Sequence, residues 1–210
     1  MSEYSLISGA YATVTPAGAF HAATGATDDP GQNLLNALLN MTQTPLMVES
    51  ELQRLCPQEN AAGALELLFR AQEIGWVCGK SESRKAPDLN MERDVPKLLG
   101  QLSGEGRALL ADAQGFHLAN EGFAHEVAEE LSVLAADVVT IQQRHRPLVR
   151  NNLRINATGW AAVDAAGFGQ LGFWPLQISM QTFVLVVAGE PSFNQESFTD
   201  LIWWLARRYS

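Results

Sequence analysis

An aspartate and a glycine, spaced Asp112-x-x-Gly115, are the residues of this sequence most open to a chemical interpretation. They separate an apolar run, Leu109 to Ala111, from a second run that starts at Phe116. A lone carboxylate makes a poor cation site, because hard cations need several oxygen ligands and no second acid stands at ligand spacing. Asp can instead bond the amides ahead of it in a turn, while Gly adopts positive φ without steric cost. The pattern therefore predicts a tight turn between two strands.

Other motifs with possible chemistry lead to the same result. Gly167-x-Gly169-x-x-Gly172 fits a dinucleotide pattern, but such a site must open a helix, and the strand-forming stretch FWPLQI follows instead. The two cysteines, Cys56 and Cys78, lack metal-ligand spacing, so we expect buried, reduced thiols, with a bridge or a reactive thiol as the alternative. No nucleophile motif is present. We expect no catalytic, cofactor-binding or metal-binding residue, and no enzyme.

Composition sets the outer limits. The chain has 210 residues, of which 47% are hydrophobic, enough for one large domain or two small ones. Its net charge of −9 argues against a general nucleic-acid binder, because neutralising phosphates requires clustered Lys and Arg. No apolar run approaches membrane-helix length, and no basic segment precedes an apolar one at the N-terminus. We therefore expect a cytoplasmic protein without a membrane partner.

The first 90 residues divide into two zones. Residues 1–31 form an arm rich in Ala, Gly and Thr that ends in the turn signal Asp28 to Gly31, with a short strand possible near Tyr11. Residues 32–90 predict three helices, a strand at Trp76 to Cys78 and a polar turn, an order that resembles a winged helix. The third helix carries one base, Arg70, and the zone to residue 90 has more acids than bases. Packing or protein contact is therefore favoured over DNA contact.

Residues 91–210 predict the order helix, two strands, helix, three strands, helix. The long middle helix, about residues 123–143, has an apolar seam at Val127, Leu131, Leu134, Val138 and Ile141, with steps of 4, 3, 4 and 3. This order, with GRALLADAQGFHLANEG followed by FAHEVAEELSVLAADVVTI, resembles the Roadblock family of dynein-light-chain-like domains. The sequence departs from the pattern in the Gly- and Ala-rich segment DAAGFGQLG and in the Trp pair at 203–204.

The resemblance implies an α+β fold: a five-stranded antiparallel Roadblock-like sheet with helices, preceded by the small winged-helix-like region. It also implies a homodimer, in which the long helix and the third strand meet their copies across a two-fold axis. The implied role is regulatory or scaffolding, often toward small Ras-like GTPases. The alternative is a DNA-binding transcriptional regulator that uses the winged-helix-like region and dimerises through the C-terminal domain.

Two surfaces follow from this interpretation. The predicted dimer interface consists of the seam and its flanking small residues: Ala124, Val127, Ala128, Leu131, Leu134, Ala135 and Val138. The possible partner face consists of Arg144, Arg146, Arg150, Arg154 and Trp203. The arginines lie in a stretch without acids, and they either complement a helix dipole or dock an acidic partner. Trp203 lies off the apolar stripe of the last helix, so it either packs against the N-terminal regions or binds an external protein.

Overall fold

The computed structural model describes residues 4–24 and 29–210. Two compact units divide the chain, one formed by Met1–Asp88 with Asn194–Ser210 and the other by Leu89–Phe193. In chain order the elements are β1 (Tyr11–Val14), α1 (Pro16–Thr24), α2 (Pro30–Leu39), α3 (Glu49–Leu55), α4 (Ala61–Glu73), β2 (Val77–Lys80), α5 (Val95–Gln101), β3 (Ala108–Asp112), β4 (His117–Glu121), α6 (His125–Arg146), β5 (Trp160–Val163), β6 (Gly169–Ile178), β7 (Gln181–Ala188) and α7 (Glu196–Tyr209).

The N-terminal part of the first unit is ordered by local signals. Asp29 caps α2, its carboxylate accepting the Gly31 amide hydrogen at 3.2 Å, and Pro30 occupies the first turn. Asp28, the first residue of the predicted turn, lies outside the described residues. The strand expected near Tyr11 is confirmed as β1, which pairs antiparallel with β2. The three predicted helices are confirmed as α2, α3 and α4, whereas α1 was not predicted.

The wing of the winged-helix-like region is not a regular hairpin. β2 pairs with β1, which precedes the three helices, and the polar segment after β2 contributes an isolated bridge between Lys85 and Gln43. Arg84 in this segment instead forms an ion pair of 2.7 Å with Asp200 of α7. The winged-helix-like assignment therefore stays a prediction.

The second unit is built on a five-stranded antiparallel sheet in the order β4-β3-β7-β6-β5. α5 precedes β3, the β3–β4 hairpin leads into the 22-residue α6, and β5, β6 and β7 follow as a meander. This confirms the predicted Roadblock-like α+β order. β5 is shorter than the predicted strand from about Leu153, because a π-helical turn, Pro147–Asn152, and a loop occupy the segment before Trp160.

The core of the second unit lies between the sheet and one face of α6. The side chains that β3, β6 and β7 direct toward α6 alternate along each strand, and residues between them in β3 and β7, such as Leu110 and Leu185, are buried on the opposite face of the sheet. The core comprises Leu109, Ala111, Phe173, Val184 and Val186 of the sheet with Ala128, Ala135 and Val139 of α6. α6 packs mainly across β3 and β7 and least across β6, so the β5 side of the sheet is left without a covering helix from this unit.

The last helix belongs by its contacts to the first unit, where it packs against α1 and α2. The start of the second unit at Leu89 is close to the boundary expected after residue 90. The division into 1–31, 32–90 and 91–210 stays a prediction.

The predicted turn at Asp112 is confirmed. The Asp112 carboxylate accepts the amide hydrogens of Gln114 and Phe116, both at 2.9 Å, and Gly115 has φ of +90°. The same motif, Asp-Ala-x-Gly-Phe, recurs between β5 and β6. Asp164 Oδ1 there accepts amide hydrogens at 2.8 and 3.0 Å, and Gly167 has φ of +88°. The Gly- and Ala-rich segment DAAGFGQLG thus begins with a second copy of the first turn and continues into β6.

The two turns provide a matched stability test. Asp112→Asn is expected to cost about 0.5 kcal/mol or less, because Asn can accept the same amide hydrogens. Gly115→Val and Gly167→Val each force a β-branched residue to positive φ, which costs about 1 to 3 kcal/mol. Gly115→Val should cost more, since a Cβ at residue 115 would lie 3.3 Å from Val133 Cα, whereas one at Gly167 meets nothing within 4 Å.

Urea unfolding of the four proteins measures these differences. Equal losses for the two Val variants would contradict the packing difference between the turns. Stabilisation of the wild type, but not of Asp112→Asn, by added Mg²⁺ or Ca²⁺ would contradict the turn function of Asp112.

Candidate functional site

α6 has two apolar directions, and only one of them faces its own sheet. Ala128, Ser132, Ala135 and Val139 are buried. The Ser132 hydroxyl donates to the Ala128 carbonyl oxygen at 2.7 Å, so this polar group is satisfied inside the core. Ala128 and Ala135, which were expected at the dimer interface, are therefore core residues of their own unit. Their small size lets α6 lie close to β3 and β7.

The predicted seam forms a second, partly open stripe. Val127, Leu134 and Ile141 are 46%, 44% and 42% exposed, while Leu131 and Val138 are half-buried beside the core. With about 100° per residue, these five side chains are centred roughly 100° from the buried face. Ala124, the residue before α6, is exposed. These five residues of α6 are called the open stripe, and all of them except Ile141 belong to the predicted interface; the stripe is accessible to another molecule.

The open stripe faces the β5 side of the sheet. The β3–β4 turn lies against the opposite side of α6. Gly115 of this turn is so close to the helix that a Cβ on it would lie within 4 Å of Val133, Ser132 and Ala136. These α6 residues point about 140 to 240° away from Val127 in the helical projection. The stripe therefore borders the region above β6 and β5, which α6 of the same chain does not cover.

β5 is a sheet edge without the usual protection. It pairs only with β6, all four of its residues are exposed, and it carries neither charge nor proline. The other edge strand, β4, contains His117, Asn120 and Glu121. Beyond β5, the open side of β6 is interrupted by Pro175, which has no N–H to offer. Charges and proline normally prevent strand pairing at edges, so β5 is the edge suited to pair with another strand.

The face of β5 that lies on the α6 side is apolar. Trp160 pairs with Phe173, and Ala162 with Leu171, so these side chains share the face that Phe173 presents to the core. Trp160 is 36% exposed and Leu171 half-buried. Trp160 and Leu171 extend the open stripe onto the sheet. The sequence interpretation missed both, and the uncharged stretch Trp160-Ala-Ala-Val163 is the signal that could have indicated them.

The four arginines of the predicted partner face are all exposed. No acid lies between Asp137 and Asp164, and the segment between α6 and β5 is held in a π-helical turn by a bond from the Leu153 amide to the Leu148 carbonyl, at 2.9 Å. None of these arginines forms an ion pair with a described residue. Arg144, Arg146, Arg150 and Arg154 therefore form an exposed basic stretch without neighbouring acids in sequence.

Trp203 is not part of an exposed face. It is 3% exposed, and its indole N–H donates to the Met41 carbonyl oxygen at 2.9 Å. Leu38 and Leu39 of α2 line the same narrow gap as Trp203. This confirms packing against the N-terminal regions and corrects its place in the partner face: an indole buried in this way cannot contact an external protein.

Groups with shifted pKa values do not converge on a reactive centre. Burial raises the pKa of the Cys56 thiol to about 11, with a smaller contribution from Glu59, so this thiol stays protonated at neutral pH. Burial, then the nearby His125, lowers the pKa of His117. Across residues 4–24 and 29–210, no group of His, Cys, Asp and Glu side chains is arranged to hold a metal ion. Cys56 and Cys78 are both free thiols, Cys78 only partly buried.

A cleft of about 360 Å³ lies in the first unit between α2, α3 and α4. Its wall contains Leu34, Leu55 and Cys56, and its rim includes Arg54, whose guanidinium is paired with Glu51 at 2.6 Å. The cleft therefore has a mixed lining, in which Asn33, Gln58 and Glu59 join the apolar residues and the paired Arg54.

The arginines of the winged-helix-like region are paired within the chain, whereas Lys80 and Lys85 form no ion pair with a described residue. Arg70 pairs with Glu66 on α4, and Arg84 pairs with Asp200. Phosphate contacts need free donors, and these two arginines are neutralised by neighbouring carboxylates. The structure thus adds no support to the DNA-binding alternative.

Comparisons with known proteins give distant similarities. No family model matches the chain, and no curated protein matches it. The Roadblock/LC7 domain from Streptomyces avermitilis is similar at 11% identity, over 49% of this chain and 82% of that one, with a TM-score of 0.33. Myxococcus xanthus MglB is similar at 11% identity, over 54% of this chain and 89% of that one, with a TM-score of 0.34. The fold assignment rests on the element order and sheet order described above.

Within the described part of the chain, no helix combines the length and the apolar character needed to cross a bilayer.

Proposed function

We propose that this chain is a non-enzymatic, intracellular regulatory or scaffolding protein that acts as a homodimer. The observation that carries the proposal is the continuity of two incomplete features on one side of the second unit. Leu131 and Val138 of the open stripe pack on the same core as Leu171 of β6, the strand that pairs with the uncharged edge strand β5, so the stripe lies on the side of α6 turned toward β6 and β5. The stripe lacks an apolar partner surface, and β5 lacks a strand on its open side. A second copy of the same surface would supply both.

A second copy, related to the first by a two-fold axis, completes both features. Two β5 strands pairing antiparallel would join the two sheets into one of ten strands and satisfy the open backbone groups of both edges. The α6 helix of the second copy would then lie against the open stripe and above Trp160 and Leu171. An isologous contact of this kind is self-complementary, so one surface serves both partners.

The regulatory role concerns a further protein. The resemblance to the Roadblock family implies partners among small Ras-like GTPases, and the exposed arginine stretch between Asp137 and Asp164 suits a partner with an acidic surface. Arg150 and Arg154 lie beyond the end of α6 and are the members of that stretch farthest from the helix. They are the first residues to test for partner contact.

Light scattering on the purified chain tests the dimer. The mass at tens of micromolar should be twice the chain mass of 22.9 kDa. A monomer at this concentration would contradict the proposal.

Affinity capture tests the partner face. A partner retained by the wild type and lost by Arg150→Glu/Arg154→Glu supports the arginine stretch as its contact, and equal capture by both contradicts it. A gel shift with a steep dependence on salt would instead favour the DNA-binding alternative.

A further inference from the structure

Apolar side chains are exposed inside the arginine stretch. Leu148, Leu153 and Ile155 are 47%, 57% and 51% exposed, and Arg150 and Arg154 lie between them in the chain. A single exposed aliphatic residue is common on a protein surface. Three of them among arginines that form no ion pair with a described residue are not explained by the helix dipole, which concerns only charge.

Leu148 differs from the other two aliphatic residues. It follows Ile141 by seven residues, so it continues the line of the open stripe, where a second copy of the chain would cover it. Four later residues, two cationic and two aliphatic, are called the mixed surface: Arg150, Leu153, Arg154 and Ile155. The mixed surface contains no residue of the proposed dimer contact.

Two backbone hydrogen bonds hold the mixed surface in a defined shape. The Leu153 amide donates to the Leu148 carbonyl oxygen and the Ile155 amide donates to the Val149 carbonyl oxygen, both at 2.9 Å. Arg154, between the two donors, has φ of +56°, a conformation that few residues other than Gly adopt. A fixed backbone loses less conformational entropy on binding than a flexible loop, which favours its use as a contact surface.

The residue types indicate the class of partner. Every cation of the stretch is Arg rather than Lys, and residues 144–159 contain no Phe, Trp or Tyr. Arg is enriched and Lys depleted at protein interfaces, because the guanidinium binds a carboxylate through two hydrogen bonds. Segments that lie in a membrane interface are instead commonly anchored by aromatic residues. The composition therefore favours an acidic protein over an anionic lipid surface.

We infer that the mixed surface binds an acidic amphipathic helix of a partner protein. Its carboxylates pair with Arg150 and Arg154, and its apolar side chains cover Leu153 and Ile155. The surface is closed by turn hydrogen bonds and offers no strand edge, so the bound segment is a helix rather than an added strand. This inference rests on the partner contact of the proposed function and adds the chemistry of the segment that makes it.

Two labelled peptides of equal charge test the apolar half of this contact. In one, of about 15 residues, pairs of Glu alternate with pairs of Leu, so that a helix has an acidic and an apolar side. In the other, Gln replaces every Leu. Fluorescence anisotropy at about 150 mM salt should give a dissociation constant about tenfold lower for the Leu peptide, because only that peptide covers Leu153 and Ile155.

Variants of the mixed surface separate its two halves. Leu153→Ser/Ile155→Ser should weaken binding of the Leu peptide about tenfold and change binding of the Gln peptide less than about twofold. Arg150→Glu/Arg154→Glu should abolish binding of both peptides. Phe116→Ser/Met180→Ser is the matched control, since it removes two exposed apolar side chains from other turns of the same unit, and it should leave both constants within about twofold of the wild type.

The outcomes distinguish this inference from the proposed function. Equal affinity for the two peptides, or no binding of either, overturns the inference. Binding of the Leu peptide that Arg150→Glu/Arg154→Glu leaves unchanged overturns the arginine contact as well. Vesicles of phosphatidylcholine and phosphatidylserine are the third probe. If the wild type binds them but not the Leu peptide, and Leu153→Ser/Ile155→Ser abolishes that binding, the surface contacts lipid and the inference is wrong. Light scattering of the same proteins measures the homodimer independently.

Discussion

Replacing Leu134 with Asp is expected to dissociate the proposed homodimer while each monomer keeps its fold. Leu134 is 44% exposed and lies at the middle of the open stripe, so a two-fold axis brings both copies of it into the contact. Burying a carboxylate there without a partner is unfavourable, and the apolar contact is lost as well. We expect a loss of about 2 to 4 kcal/mol per dimer, which corresponds to a roughly 30- to 700-fold higher dissociation constant.

Val133→Asp is the matched control for Leu134→Asp. Val133 is the next residue of the same helix and is 59% exposed, but it points toward the β3–β4 turn rather than along the stripe. Light scattering and circular dichroism should show a folded monomer for Leu134→Asp and a folded dimer for Val133→Asp. Dimers of equal affinity would contradict the stripe as the interface. Leu131→Asp is less informative, because Leu131 also packs on the core of its own unit.

Much of the second unit could be predicted because its signals are local. The Asp112 turn depends on hydrogen bonds that the Asp112 carboxylate accepts from the amides two and four residues ahead. The α6 seam depends on spacing alone. Both signals involve residues that are close together in the sequence, so they allowed the order of helices and strands to be predicted.

The division of α6 into two faces could not be predicted in the same way. Ala128 and Ala135 border the seam, and small residues there suit either a partner helix or a close approach to the molecule's own sheet. Only the position of the sheet decides between these possibilities. Val127 and Leu134, on the other hand, do remain open. A seam in the sequence indicates that a helix is apolar on one side but does not indicate what covers that side.

α1 was missed because its partners are distant in sequence. Its composition, PAGAFHAAT, shows little amphipathic pattern, so the sequence predicted an arm without a helix. In the structure Phe20 lies 6.0 Å from Phe198, between ring centroids, and Gly18 approaches the Trp76 carbonyl so closely that a Cβ would lie 2.2 Å from it. Small residues here allow close packing of the helix rather than freedom of the chain, a distinction that depends on contacts across more than 50 residues.

Trp203→Ala is expected to be among the most destabilising single changes in the first unit. The side chain is 3% exposed, and removing it leaves a cavity as well as an unpaired Met41 carbonyl oxygen. Trp→Ala changes in cores cost about 3 to 5 kcal/mol. For a chain of this size that lowers the melting temperature by roughly 6 to 20 °C.

The N-terminal arm should become accessible in the same variant. Trp203 anchors α7 to the segment after α2 through Met41, and α7 also packs against α1. Thermolysin suits the proteolysis assay, since residues 1–53 contain neither Lys nor Arg and trypsin would not cut the arm. The arm should be cleaved faster in Trp203→Ala than in the wild type.

Trp203→Phe separates the volume of the side chain from its hydrogen bond. It keeps an aromatic ring in the site but leaves the Met41 carbonyl oxygen unpaired, so a loss of about 1 to 3 kcal/mol is expected, smaller than that of Trp203→Ala. The order wild type, Phe variant, Ala variant should therefore hold both for melting temperature and for resistance to thermolysin. If Trp203→Ala instead keeps the wild-type melting temperature and protease resistance, the burial of Trp203 against α2 is not what stabilises the unit.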